Sequence, residues 1–261
     1  MWRERKIIAV TPAGRKRYME LLKEQLEGYR GVLDEWHVWK NTTVPEDVEH
    51  IDALASDFVR VIECSVRVDG NRSINSFFST CDDPNAVYVR FDDDVIVLDS
   101  IDAFRSFLDF RIDRPEHPIV YANILNNAIS TWIHQRFGNL PGCTGYECMD
   151  RVAWGCPNFA KTLHDAILGT PLERFRFDGI WKFLNRERVS IICVSWLGRL
   201  HVPSEGDEEH HVSCVLPKDV PNCMFGGYCV VHFAFCTQRE ELERAGYLDA
   251  YIRAKINERA D

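Results

Sequence analysis

Tyr88-Val89-Arg90-Phe91-Asp92-Asp93-Asp94-Val95-Ile96-Val97-Leu98 sets three consecutive carboxylates between two apolar runs. The first run, Ala86 to Phe91, reads as a buried strand that stops at Asp92. Val95 to Leu98 resumes the apolar pattern, and Asp99 and Ser100 are placed to cap a helix carrying Phe104, Phe107 and Leu108. Three adjacent carboxylates repel one another, and at the end of a buried strand they are costly without a cation. Alternate residues of an extended segment point the same way, so Asp92 and Asp94 are expected to face one site and Asp93 another. Two carboxylates completed by waters and phosphate oxygens suit Mg²⁺ or Mn²⁺. A solvated acidic turn would look the same in sequence.

Upstream, strands and helices alternate. Lys6 to Val10 reads as a buried strand, with Thr11 capping the next helix and Pro12 at its first position. That helix carries Tyr18, Leu21, Leu22 and Leu26 on one face. Asp34 to Lys40 alternates as a second strand, where Trp36 and Trp39 point to opposite faces and serve packing. Pro45 to Ala55 reads as a helix, Phe58 to Cys64 as a third strand and Ser73 to Thr80 as a helix. This order predicts an α/β fold: a central, mostly parallel sheet flanked by helices. Ligands of such sheets sit outside the carboxyl ends of the strands, which puts Thr11, Asn41 and Asp92 on one rim.

Downstream the pattern loosens. Arg111 to His117 is a charged connector, Ile119 to Phe137 contains a helix, and Gly138 to Cys156 is an ordered loop. Phe159 to Leu168 is helical and Val189 to Trp196 a strand. His201 to His211 reads as a mobile acidic loop, Tyr228 to Phe235 as an apolar strand holding one histidine, and Glu240 to Ala260 as a terminal helix. Asn123, Asn126 and Asn127, near a helix start, are suited either to sugar hydroxyls or to local capping. Trp154, beside Gly155, is the better stacking surface for an acceptor, whereas His134 and His164 read as structural.

The chain has 261 residues, 46% hydrophobic and 27% charged, enough for one domain with a sizeable core. Its net charge of −9 argues against a protein that grips duplex nucleic acid through phosphates. The start is charged and its apolar run is four residues long (Ile7 to Val10), so neither a targeting segment nor a membrane anchor is expected, and a cytoplasmic location is. Ten cysteines without a CxxC pair then read as reduced thiols. Cys143, Cys148, Cys156 and His164 offer a zinc set on paper, but the spacing is unusual.

His232, within Val230-Val231-His232-Phe233-Ala234-Phe235, is a lone histidine in an apolar strand, and such residues are commonly satisfied in a core. Set beside the distant carboxylates it completes an O,O,N donor set that favours Mn²⁺ over Mg²⁺. Arg239 follows Gln238 at the strand's end and is suited to clamp a phosphate.

Taken together, Ile8-Ala9-Val10-Thr11-Pro12, Tyr88 to Asp94, Tyr121 to Asn127 and Val231 to Phe235 followed by Gln238-Arg239 resemble the GT-A class of nucleotide-sugar glycosyltransferases, over residues 6 to about 251. The resemblance implies a single GT-A-like (Rossmann-like) domain, with residues 1–115 binding the nucleotide sugar and residues 116–261 the acceptor. It implies Thr11 and Arg15 near the nucleotide, and Asp92, Asp94 and His232 on the metal. Asp93 would touch the sugar or ribose and Arg239 the diphosphate. The donor would be a UDP-sugar first and a GDP-sugar second, the acceptor a glycan or other hydroxyl, with a modified nucleic-acid base left open. A divalent ion neutralises the departing diphosphate, and an inverting reaction needs a base at the acceptor hydroxyl; a retaining reaction stays open, because the sequence does not place the base relative to C1. In Gly206-Asp207-Glu208-Glu209-His210-His211 that base is Glu208 first, then Asp207 or Glu209.

Three other readings compete. Phosphatases with a nucleophilic Asp place DxD directly after the first strand, which here ends in Thr11-Pro12. A metal-dependent nuclease would call for a basic surface. A non-catalytic carbohydrate-binding protein with a vestigial site would not need Asp92, Asp94 and His232 together.

Overall fold

The computed structural model describes residues 1–184 and 186–258. In chain order the elements are β1 (Ile7–Ala13), α1 (Lys16–Gly28), β2 (Glu35–Lys40), α2 (Pro45–Asp52), β3 (Val59–Ile62), α3 (Asn71–Ile74) with a 3₁₀ turn to Thr80, β4 (Val87–Phe91), β5 (Val95–Leu98) and α4 (Ile101–Asp113). They continue with β6 (Val120–Leu125), α5 (Ala128–Arg136), α6 (Pro157–Leu168), β7 (Ile180–Lys182), β8 (Cys193–Leu197), α7 (Glu208–His210), β9 (Cys223–His232), α8 (Arg239–Arg244) and α9 (Tyr247–Glu258).

The strands form one mixed sheet in the order β3-β2-β1-β4-β8-β6-β9-β5, with β7 paired to β9. β3, β2, β1 and β4 are parallel, as the strand and helix alternation predicts. β8 enters antiparallel between β4 and β6, so the sheet runs without a break from the N-terminal half into the C-terminal half. β1 is buried along its whole length, and α1 covers the sheet with Tyr18, Met19, Leu21, Leu22 and Leu26. Trp36 and Trp39 are fully buried, Trp39 stacking on Phe77 at 5.4 Å, in line with a packing role. Ser100 caps α4 by accepting from the Ala103 N–H at 3.3 Å.

Several boundaries differ from the sequence pattern. Thr11 and Pro12 do not start a helix: β1 runs on to Ala13, paired with Val38 to Lys40 of β2, and α1 begins at Lys16. The cause is that β4 pairs only with Ile7 to Val10, so beyond Val10 that side of β1 is open and tolerates a proline. Ile119 to Phe137 hides a central strand, β6, before α5. Arg111 belongs to α4 and is fully buried, donating to the His117 carbonyl at 2.7 Å. The expected terminal helix is two, turning at Gly246 with φ +77°, and its last positions, 259 and 260, lie outside the described residues. No described helix is long and apolar enough to cross a membrane.

Candidate active site

The carboxyl ends of β1, β2 and β4 open onto a cleft of about 970 Å³. Pro12, Gly14, Arg15, Asn41 and Asp92 to Asp94 form one wall, and His232, Ala234, Phe235 and Arg239 continue it at the end of β9. Cys148, Met149 and Trp154 of the long loop, Arg188 and the acids Asp207, Glu208 and Glu209 complete the lining.

The strict alternation expected of the carboxylates does not hold, because the extended chain ends at Phe91. The Asp92 N–H donates to the Ile192 carbonyl at 2.9 Å, and the Asp92 carbonyl accepts from Val95 at 3.0 Å, closing a turn. All three carboxylates line the cleft, and they divide by partner. Asp92 accepts from Arg90 Nε at 2.7 Å. Asp93, which sequence set on a separate face, accepts from the Gly14 N–H at 2.9 Å and Arg15 Nε at 3.1 Å, pinning the loop after β1. Asp94 Oδ2 gathers three nitrogens: Arg239 Nη2 at 2.9 Å, Arg15 Nη1 at 3.1 Å and His232 Nε2 at 3.6 Å. Burial alone would raise the Asp94 pKa, but Arg15, His232 and Arg239 outweigh it and hold this carboxyl far below the usual range. Asp92 goes the other way: burial, with some repulsion from Asp94, lifts it to about 7 against the pull of Arg90.

His232 closes β9 with its ring buried. Its Nδ1 lies 2.9 Å from the Asn126 carbonyl, which can only accept, so Nδ1 carries the proton. Nε2 then faces Asp94 Oδ2: it pairs with that carboxylate when it carries a proton and presents a lone pair to a cation when it does not. Two acceptors aimed at one point suit a cation, and a carbonyl behind the imidazole is the usual support of a metal-bound histidine. Among the described residues no three His, Cys, Asp or Glu side chains stand close enough to enclose an ion. An ion held by Asp94 and His232 alone would take its remaining ligands from water and phosphate oxygens, which Mg²⁺ and Mn²⁺ accept.

Arg90 is the residue that the sequence reading missed. Its side chain is 3% exposed and bridges Asp92 to both oxygens of Glu208, at 3.1 Å each. The available signal was a lone cation in an apolar strand, two positions before Asp92 and so on the same face. Within the stretch read as a mobile loop, Glu208 lies in a buried helical turn, held there by Arg90. Burial raises its pKa from the ordinary glutamate value, Arg90 opposing. Asp207 and Glu209 lie nearer solvent and share Arg188 at 2.6 and 2.7 Å, and Cys148 donates to Glu209 at 3.6 Å.

Other expected contributors lie elsewhere. Thr11 is buried in β1, its hydroxyl accepting from Trp36 Nε1 at 3.0 Å, and it does not reach the cleft wall. Asn123, Asn126 and Asn127 are buried too: Asn127 caps α5, Asn126 donates to the Phe233 carbonyl at 3.0 Å, and Asn123 to that of Phe175 at 2.9 Å. Trp154 does line the cleft, 6.0 Å from the Phe235 ring, with its carbonyl held by Thr237 at 2.6 Å. The paper zinc set is not assembled: His164 spends Nε2 on the Phe233 carbonyl (2.7 Å) and Nδ1 on the Tyr251 hydroxyl (2.8 Å), and Cys143 is exposed.

No protein-family model matches the chain, and no curated protein matches its sequence. Among solved structures, an apo UDP-glucose pyrophosphorylase aligns over 97% of this chain and 99% of its own, with TM-score 0.51 and 7% identity. 4-Diphosphocytidyl-2C-methyl-D-erythritol synthase from Anaerococcus prevotii aligns over 95% and 96%, with TM-score 0.46 and 9% identity. Mannose-1-phosphate geranyltransferase from Thermus thermophilus is matched over 48% of this chain, with TM-score 0.34 and 11% identity, so the chain spans only 44% of that protein's length. The first likeness defines the fold as a Rossmann-like α/β architecture of the kind that the GT-A resemblance implies.

Proposed function

We propose that the protein is a metal-dependent glycosyltransferase that moves a sugar from a nucleoside-diphosphate sugar, UDP before GDP, to an acceptor hydroxyl with inversion. The observation that carries this reading is the meeting of Asp94 and His232 Nε2, from separate strands, with Arg15 and Arg239 around them at the carboxyl-end rim. Asp94 and His232 would hold Mn²⁺ or Mg²⁺, with Asp92 on the same wall. When bound, the ion would neutralise the diphosphate as the bond to C1 breaks. Arg15 and Arg239 orient phosphate oxygens from either side, and Asp93 fixes the loop that carries Arg15. The acceptor oxygen attacks C1 from the opposite face, its proton passes to Glu208, and the nucleoside diphosphate leaves. Burial suits Glu208 to that role by raising its proton affinity, and each of its oxygens keeps a lone pair beyond the one bonded to Arg90. Asp207 and Glu209, tied to Arg188, shape the rim, and Trp154 offers the acceptor an aromatic face.

Nucleotide-sugar hydrolysis with Mn²⁺, repeated for Asp94→Ala and His232→Ala, tests the assignment. Each variant is expected to lose about 100-fold or more, the usual effect of removing a charge-stabilising group; wild-type turnover in both would refute it. Thermal shifts with UDP, GDP and dTDP, with and without Mn²⁺, test the nucleotide.

A second reading draws on the fold shared at full length with a UDP-glucose pyrophosphorylase: nucleotidyl transfer from a nucleoside triphosphate to a sugar phosphate. Pyrophosphate release from UTP and a hexose 1-phosphate, in place of UDP release from a UDP-sugar, would favour it.

A further inference from the structure

We propose that Arg15 and Arg239 are exchangeable counter-ions, paired with Asp93 and Asp94 while the site is empty and turned to the diphosphate once a divalent ion takes Asp94. This rests on the reading above and extends it to how the two ligands bind. Asp93 and Asp94 carry two negative charges, and Arg15 and Arg239 two positive ones, so the group is balanced without a ligand. A divalent ion arriving alone meets two guanidinium groups on the very oxygen it needs, at 2.9 and 3.1 Å. A diphosphate arriving alone meets arginines already neutralised. Together the two ligands restore the balance: the ion replaces Arg239 Nη2 and Arg15 Nη1 on Asp94, those nitrogens turn to the phosphate oxygens, and Arg15 keeps Asp93 through Nε.

A second observation points the same way. Arg239 Nε is buried and has no hydrogen-bond partner, an N–H that the resting arrangement leaves unsatisfied and that an incoming phosphate oxygen would satisfy. Both arginines also reach solvent, their side chains 30% and 24% exposed against 3% for Arg90. Metal and diphosphate should therefore bind cooperatively, each raising the affinity of the other by the same factor.

The test is calorimetric titration of Mn²⁺ alone, UDP alone, and each at saturating levels of the other, with the Mn²⁺–UDP complex in solution accounted for. Inorganic pyrophosphate runs in parallel as a probe that needs no nucleoside pocket. The wild type is expected to show a reciprocal enhancement on the order of 5- to 150-fold. Arg239→Gln is expected to bind Mn²⁺ alone more tightly, to bind UDP or pyrophosphate more weakly in the presence of Mn²⁺, and to lose most of the enhancement. Arg239→Lys, which keeps the charge, should leave the affinity for Mn²⁺ alone near wild type, and Arg15→Gln should repeat the Arg239→Gln pattern if one variant folds poorly. Independent binding of Mn²⁺ and both probes to the wild type would overturn the exchange while leaving the glycosyltransferase reading intact. Weaker binding of Mn²⁺ alone to folded Arg239→Gln would do the same. No binding of either ligand to the wild type, alone or together, would overturn the glycosyltransferase reading itself.

Discussion

Two guanidinium and carboxylate knots lie in the same cleft, and burial separates them. Around Arg90 the knot is closed: Nε goes to Asp92, Nη1 and Nη2 go to Glu208, and the side chain is 3% exposed. Around Asp94 it is open: Arg15 and Arg239 reach in from a loop and a helix start, remain partly solvated, and leave one N–H without a partner. The residue types are the same, but the consequences differ. A desolvated and fully bonded arginine holds geometry, because leaving its carboxylates would strand buried charges. A partly hydrated one trades partners at small cost. The closed knot accordingly ties the end of β4 to the turn bearing the candidate base, and the open one sits where a ligand would arrive.

The sharpest way to break this comparison is to remove the closed knot's cation. Arg90→Met leaves Asp92 and Glu208 facing each other without compensation, and is expected to cost about 3–5 kcal/mol of unfolding free energy in urea titrations. A loss below about 1 kcal/mol would mean that Arg90 is no more fixed than Arg239.

Acid is a second, somewhat smaller lever, because the open knot is backed by a neutral histidine. His164 bonds the carbonyl of Phe233, next to His232, and burial lowers its pKa to about 4; burial does the same to His134. Both stay neutral in the fold while the unfolded chain takes up protons near pH 6.5. The unfolded state thus binds more protons between about pH 6.5 and 4. The stability these residues contribute is complete above that window and is lost as pH falls through it, about 3 kcal/mol for each. Asp92, raised to about 7 by burial, binds its proton in the fold first and opposes this trend. The measurement is therefore the difference between wild type and His164→Gln in urea midpoints from pH 7 to 4.5. A difference that does not narrow on acidification would show that His164 is not held neutral.

How far this site was legible in the sequence follows from which signals are local. β1 to β5 showed through as apolar runs with turn residues between them, and so did the parallel order that makes a rim. Pro12 misled because a proline suits a helix start and an open strand side equally. β6 was masked because Val120–Leu125 runs into α5 with only Asn126 and Asn127 between, and no glycine or proline marks the joint. The triplet pointed to the right place, but its partition required the turn at Asp92, which depends on a bond to Ile192 far along the chain. Arg90 was on the page as one charge in a buried strand; that Glu208 answers it is a tertiary fact. His232 and Arg239 were readable as candidates, and only the fold brings them onto Asp94.

The smallest expected effect is also the one that most refines the contrast. Arg239→Gln removes an ion pair at 2.9 Å and a bond to the Ala234 carbonyl at 3.2 Å. Asp94 still keeps Arg15 and His232, so no buried charge is stranded. The lost pair is partly solvated, and pairs of that kind contribute about 1 kcal/mol or less. The unsatisfied Nε, itself a cost in the resting state, leaves with the arginine. Unfolding free energy should therefore change by no more than about 1 kcal/mol, in either direction. Salt separates the two knots further: a partly exposed pair is screened beyond a Debye length of roughly 10 Å at 0.1 M, and more strongly at higher ionic strength. The difference between wild type and Arg239→Gln should shrink between 0.05 and about 0.5 M NaCl, while that between wild type and Arg90→Met should shrink less, since the Arg90 guanidinium and its partner Glu208 are almost out of contact with water. Equal salt sensitivity in the two variants would place both arginines in one environment and remove the basis for calling one fixed and the other exchangeable.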